Sequence, residues 1–282
     1  MAKENQEQTF IIEADRPDAD YWKDVWRYRG LFYYLAWRDV LVRYKQTVIG
    51  IAWSVLRPLL YIGVFLLFGK IFGKQSGPIP DALIIAAGVL PWQLFATAFS
   101  ESAGSVVGNA NLLTKVYFPR IIVPASTLIV ALIDFAVALV LLIIFLLVFG
   151  YAPSSNIIFF PLFMILAIVT ASGSGFLIAA LNVKYRDFRY VVPFIVQVGM
   201  FVTPVGFESS RIYSDAVPGF LQKLYALNPM VGVVDGFRWC ILGDDIVMHW
   251  DMVAISASFS ILLLIIGIRY FRRVESTFAD IV

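Results

Sequence analysis

Apolar residues run on with little polar interruption through most of this chain, and the runs are long. Six of them hold about 18 residues or more, the length at which a helix becomes able to cross a hydrocarbon core. They cover approximately 51–73, 82–104, 121–149, 157–181, 190–207 and 252–271. The pattern predicts an all-α integral membrane protein with six transmembrane helices per subunit. Arg57-Pro58 interrupts the first span and Pro91 the second, while the short fifth holds Pro193 and Pro204. Proline inside a span is tolerated where neighbouring helices cover the carbonyls it frees.

Two segments are neither span nor simple loop. Residues 21–50 mix Trp22, Trp26, Tyr33, Tyr34 and Trp37 with Lys23, Arg27, Arg29, Arg38, Arg43 and Lys45. Amphipathic rings and long basic side chains both favour the headgroup layer, so this segment is expected to form an interface helix along the cytoplasmic face. The second is the gate-like outer loop 208–251, in which PGFLQKLYAL and PMVGVVDGFRWCIL read as two short helices. Asn228-Pro229 between them supplies a capping side chain and then proline at the first helical position. The chain thus divides into a polar cytoplasmic tail (1–20), an amphipathic segment (21–50), a six-span domain (51–271) and a C-terminal cytoplasmic tail (272–282).

Composition agrees with the hydropathy pattern. Hydrophobic residues make up 60% and charged residues 15% of the chain, against about 25% charge in a soluble domain. Residues 1–20 lack the apolar core of a cleavable signal. Charge sets the orientation. With both termini cytoplasmic, 16 lysines and arginines fall inside and 5 outside, leaving Arg57 within the first span. The positive-inside rule favours this assignment, which puts Cys240 on the outer side. A single cysteine and a single histidine, His249, leave no cysteine cluster or multi-histidine metal site.

No energy source is legible. The nearest approach to a phosphate loop, Gly69-Lys70-Ile71-Phe72-Gly73-Lys74, is one residue short and is followed by Gln75 where Ser or Thr must bind magnesium. Nucleophile–base patterns and paired carboxylates do not stand out, which argues against an enzyme. Ion-coupled transport usually needs several ionisable groups at mid-membrane. Here the deep candidates reduce to Arg57 and Asp134, the latter read as a helix-pairing residue or a proton site without a visible relay partner. Energy is expected from another subunit.

Six stretches carry a resemblance, in order along the chain. RYKQTVIGIAWSVLRPLL (43–60), GVLPWQLF (88–95), NANLLTKVYFPR (109–120), LNVKYRDFRYVVPFIVQ (181–197), LNPMVGVVDGFRW (227–239) and FRRVESTFADIV (271–282) together resemble the permease subunits of polysaccharide-exporting ABC transporters. That family includes O-antigen, teichoic-acid and some capsule exporters. The resemblance implies a channel made with a second copy of the chain, in the bacterial cytoplasmic membrane. It implies two copies of a separate ATPase that bind ATP and magnesium, so that this chain binds no cofactor itself. It also implies a lipid-linked glycan as substrate, membrane lipids around it and no nucleic acid. Two rival readings stay open: a small-molecule or drug exporter of the same superfamily, and a polytopic glycan-processing enzyme.

Three groups of residues fit the export reading. By the resemblance, NANLLTKVYFP is the coupling helix for the ATPase. Asn109 is expected to cap it, Pro119 to stop it, and Leu112, Leu113, Lys115 and Tyr117 to present its surface. On span one, Trp53, Arg57, Tyr61, Phe65 and Phe68 recur every three or four residues and share a face. Tyr190, Phe194, Gln197 and Phe201 do the same on span five. Those aromatic stripes suit a path along which sugar rings slide, or else simple packing and lipid contact. Arg57 admits two readings: it receives a diphosphate headgroup bidentately, or it snorkels to ordinary lipid phosphates.

Overall fold

The computed structural model describes residues 18–45, 52–72 and 79–278, and all regular structure among them is helical. The tail up to residue 17, the end of the amphipathic segment (46–51), the stretch 73–78 with Lys74 and Gln75, and the last four residues lie outside the described residues. Helices α1 (Asp18–Arg27) and α2 (Arg29–Lys45) precede the first span. Five helices are long and apolar enough to cross a membrane: α3 (Ala52–Phe72), α4 (Asp81–Gly108), α6 (Ile122–Val148), α7 (Phe160–Lys184) and α11 (Trp250–Val274). The short α5 (Ala110–Lys115) joins α4 to α6.

The fifth predicted span is shorter than expected. Helix α8 covers Phe188–Val202, 15 residues or about 22 Å, and ends as the chain turns extended at Thr203 before Pro204. Proline disfavours the helical conformation in the residue before it, which is why the expected extension to 207 fails. Both outer-loop helices form as read, as α9 (Gly219–Ala226) and α10 (Pro229–Leu242). Asn228 Oδ1 accepts the Met230 N–H at 3.1 Å, so the predicted cap is made.

The described helices are not equally covered. Helix α4 is the pillar, buried along most of its length against α3, α6, α7, α8 and α10. Close crossings depend on small residues, because only they let two backbones approach. A side chain at Gly173 on α7 would stand 2.5 Å from the Leu264 amide nitrogen of α11, and one at Gly175 would stand 2.7 Å from Ser102 Oγ of α4. The Thr170 hydroxyl donates to Ser260 Oγ at 2.8 Å across the same α7–α11 crossing. By contrast α3 and α8 present long exposed apolar faces, from Leu56 to Phe68 and from Tyr190 to Val202.

Two arrangements close the ends of this frame. At one end Arg238 of α10, only 1% exposed, donates to the carbonyls of Ile84 (3.1 Å), Phe207 (2.8 Å) and Val205 (2.8 Å). A buried guanidinium is tolerable only when its donors are met, and here backbone oxygens of α4 and the α8–α9 loop meet them. Beside it, burial pushes the Asp235 carboxyl up to about 6, although the Ser209 hydroxyl donates to it. Cys240 on the same helix is fully buried. At the other end a second core gathers Leu35, Leu113, Phe118, Ile121, Phe271 and Phe278. The Tyr21 hydroxyl donates to Glu275 Oε2 at 2.9 Å, and Arg272 stacks 4.3 Å above the Tyr21 ring. The described part of the C-terminal tail is therefore packed: α11 continues through Arg272 and Arg273, and Phe278 is buried.

Gly173→Val should force α7 and α11 apart and lower stability in detergent by about 1–3 kcal/mol, the usual cost of overpacking. Gly63→Ala, where an added Cβ meets nothing within 4 Å, should leave the unfolding curve unchanged or slightly raised. Thermal unfolding of the purified chain checks the pair.

Candidate translocation cleft and coupling loop

A cleft of about 700 Å³ opens between α3, α4 and α8. Its outer part is walled by Tyr61 and Phe65 of α3, Trp92 of α4 and Phe201 of α8; the Phe65 and Phe201 rings lie 6.2 Å apart. Helix α8 sits close on α4 because Gly199 faces the Trp92 ring, where a Cβ would stand 2.7 Å from the indole edge. The floor carries Gln93, Ala96, Ser100 and Gly104, and the other end holds Asn182 and Arg189. The wall is thus aromatic and the floor small and polar, a surface that can hold a ring face while offering hydrogen bonds along one side.

Four of the eight expected channel residues, Tyr61, Phe65, Gln197 and Phe201, line this cleft. The others do not. Phe68, Tyr190 and Phe194 are exposed beyond it, and Trp53 turns into a different notch together with Arg57. One helical face is about 100° wide, and on α3 that width is divided between two cavities. Gln93, Asn182 and Arg189 were missed by reading stripes of aromatics alone. The signal was present: Gln93, Ala96, Ser100 and Gly104 recur at intervals of three and four, a small polar face inside an apolar span.

The coupling segment folds as a helix but is held differently from its prediction. Asn109 does not cap α5 with its side chain. Its Nδ2 instead donates to the Ser105 carbonyl at 2.8 Å, closing the end of α4, and its Oδ1 accepts from Arg38 of α2 at 2.8 Å. The residue lies where one helix ends and the next begins, and a last-turn carbonyl of the longer helix accepts both its backbone N–H and its side-chain amide. Leu113 is buried in the second core rather than presented as surface, and Leu112 packs partly against that core. The exposed surface is Asn111, Thr114, Lys115, Val116 and Tyr117.

Comparison with known proteins adds the decisive fact. Residues 30–242 match the ABC-2 type transporter membrane family, a stretch that contains the cleft and the loop. The chain belongs to that family. It is 28% identical over 217 residues to an O-antigen export system permease protein of Myxococcus xanthus, covering 77% of this chain and 82% of that one. A protein of the same name from Klebsiella pneumoniae is 26% identical over 245 residues, 86% of this chain and 92% of its own. The polysialic acid transport protein KpsM of Escherichia coli is 22% identical over 240 residues, 84% and 91% of the two chains.

This ABC-2 chain also holds a charged node that its sequence did not reveal. Arg43 of α2 bridges Asp134 of α6 at 2.6 Å and Glu101 of α4 at 2.8 Å. The Ser54 hydroxyl donates to Asp134 at 2.6 Å, and the Tyr44 hydroxyl donates to the same oxygen. Burial, and then that bond to Asp134, pushes the Tyr44 hydroxyl up to about 12, so it remains a donor. Asp134 therefore has partners on α2 and α3, far away in sequence.

Leu113→Asp should sharply reduce the yield of folded ABC-2 chain, since an unpaired buried carboxylate costs several kcal/mol. Tyr117→Asp, on the exposed side of the same loop, should melt within about 0.5 kcal/mol of wild type. Size-exclusion yield and thermal unfolding of both variants in detergent make the comparison.

Proposed function

We propose that this chain is the channel-forming permease of an ATP-driven exporter that moves lipid-linked polysaccharide out of the bacterial cytoplasm. The observation that carries the reading is the cleft itself. It is aromatic-walled and polar-floored, and it lies between the two helices, α3 and α8, whose outer faces the rest of the chain leaves uncovered. Aromatic faces bind sugar rings without fixing one sugar's identity, as a sliding chain requires. Relatives that match most of this chain are export proteins for O-antigen and polysialic acid.

The uncovered faces of α3 and α8 suit pairing with a second copy, which would complete the wall of the path. ATP and magnesium belong to two partner ATPase subunits, docked at the exposed edge of α5 and at Val116 and Tyr117. Helix α8, too short alone, completes a sixth crossing together with the extended segment after it and the outer helices. Both termini then face the cytoplasm, as the basic residues favour. The small-molecule exporter and the enzyme are less well supported, because a cleft running along three helices suits a polymer and lacks paired catalytic carboxylates.

Replacing Tyr61, Phe65 and Phe201 together with alanine should slow glycan export at least about tenfold per folded complex, at roughly 0.5–1.5 kcal/mol per lost stacking contact. Export in vesicles, normalised to assembled complex, is the measurement; an unchanged normalised rate would end the path assignment. Tyr117→Asp, which leaves the fold intact, should lose copurification with the ATPase. A full complement of ATPase on that variant would place the contact elsewhere.

A further inference from the structure

The second cavity, a notch of about 350 Å³, lies between α2, α3, α4 and α6, away from the aromatic part of the cleft. Its lining combines Trp53, Leu94 and Phe135 with four charged side chains, Arg43, Arg57, Glu101 and Asp134. Two polar features are unspent. Arg57 is exposed and makes no hydrogen bond or ion pair among the described residues. Gln93, which borders both cavities, has a buried Nε2 with no hydrogen-bond partner among the described residues. Both are donors, and both want an acceptor.

The opposite requirement sits at the notch's other end. Asp134 is engaged by Arg43, Ser54 and Tyr44. Glu101 meets Arg43 through Oε1 only, and its side chain is 48% exposed. Two carboxylates share Arg43, so the notch holds a surplus of acceptor at Glu101 and a surplus of donor at Arg57 and Gln93. Its four formal charges sum to zero. A net anion would be drawn to Arg57 and repelled by the two carboxylates. A net cation would meet the reverse.

We propose that the notch binds the headgroup of a zwitterionic aminophospholipid, of the phosphatidylethanolamine type. The phosphate takes the guanidinium of Arg57 and the Gln93 amide, and the primary ammonium donates to Glu101. Glu101 lies eight residues beyond Gln93 on α4, about 12 Å nearer the helix's inner end. A lipid of the inner leaflet carries its phosphate on the membrane side and its ammonium on the water side, the same order. That leaflet assignment rests on the proposed orientation; the binding does not. Leu94 and Phe135 would pack against the glycerol and the first acyl carbons. A glycan-bearing diphosphate lipid fits poorly, having more negative charge and no cation for Glu101. The lipid would wedge α2 to the span bundle as a structural ligand, apart from the transported substrate.

The test uses the purified full-length chain, delipidated in detergent and titrated with single lipids under native mass spectrometry and thermal unfolding. Phosphatidylethanolamine should bind and raise the melting temperature. Phosphatidylglycerol, phosphatidylcholine (whose quaternary ammonium has no N–H) and undecaprenyl diphosphate should each bind about tenfold more weakly. Arg57→Gln should weaken phosphatidylethanolamine by about tenfold. Glu101→Gln should do the same and also narrow the gap to phosphatidylglycerol, because it removes the repelling charge. A loss of packing alone would leave that lipid preference unmoved and would count against the proposal. Equal binding of phosphatidylglycerol by the wild type would overturn it, as would unchanged phosphatidylethanolamine affinity in both variants.

Discussion

The rest of the structure depends on how closely α7 approaches α4 and α11. In hydrocarbon no hydrophobic effect drives helices together, so association rests on packing at short range and on shared hydrogen bonds. Gly173, Gly175 and Gly267 remove the side chains that would hold those backbones apart, and Thr170 and Ser260 add a hydroxyl pair at the same crossing. Once these three helices are fixed, α6 and α10 pack on α4 and complete a stiff frame. Helices α3 and α8 have fewer ways to join it. Helix α3 rests on α4 and α6, helix α8 on α4 and α7, and the space between α3 and α8 is the cleft.

Charge buried at the frame's two ends is held by different means. Arg238 is surrounded by carbonyls from the start of α4 and the loop after α8. It therefore ties the outer cap to the pillar without a carboxylate partner, and Gly88 opposite leaves room for it: a Cβ there would stand 2.7 Å from Arg238 Nη2. Toward the other end, Arg43 joins three helices by pairing with acids on two of them. Truncating one member of such a group leaves the others uncompensated at low dielectric, which is how a few polar contacts control helix placement.

The coupling loop is continuous with both arrangements. Leu113 and Phe118 pack in the same core as Phe271 at the end of α11, and α11 begins at the outer cap, where the Ser256 hydroxyl donates to the Ala226 carbonyl at 2.7 Å. A displacement at α5 therefore reaches α11 through packed side chains and the outer helices through one rigid rod about 37 Å long.

Much of the architecture was legible in the chain. A helix satisfies every backbone group inside lipid within its own segment, so apolar length by itself located the long spans, and Asn228-Pro229 marked the start of α10 because capping is decided within four residues. The contribution of tertiary structure begins where one residue has two possible partners. Asn109 could cap α5 or close α4, and Arg38, distant in sequence, took its oxygen. Leu113 could face out or in, and the core formed by α2 and α11 drew it in. A single aromatic stripe on α3 was divided between two cavities because α6 and α8 flank it on opposite sides. Periodicity states which residues share a helical face; which neighbour that face meets is set by helix crossings between residues far apart in sequence, and only the folded chain brings those together.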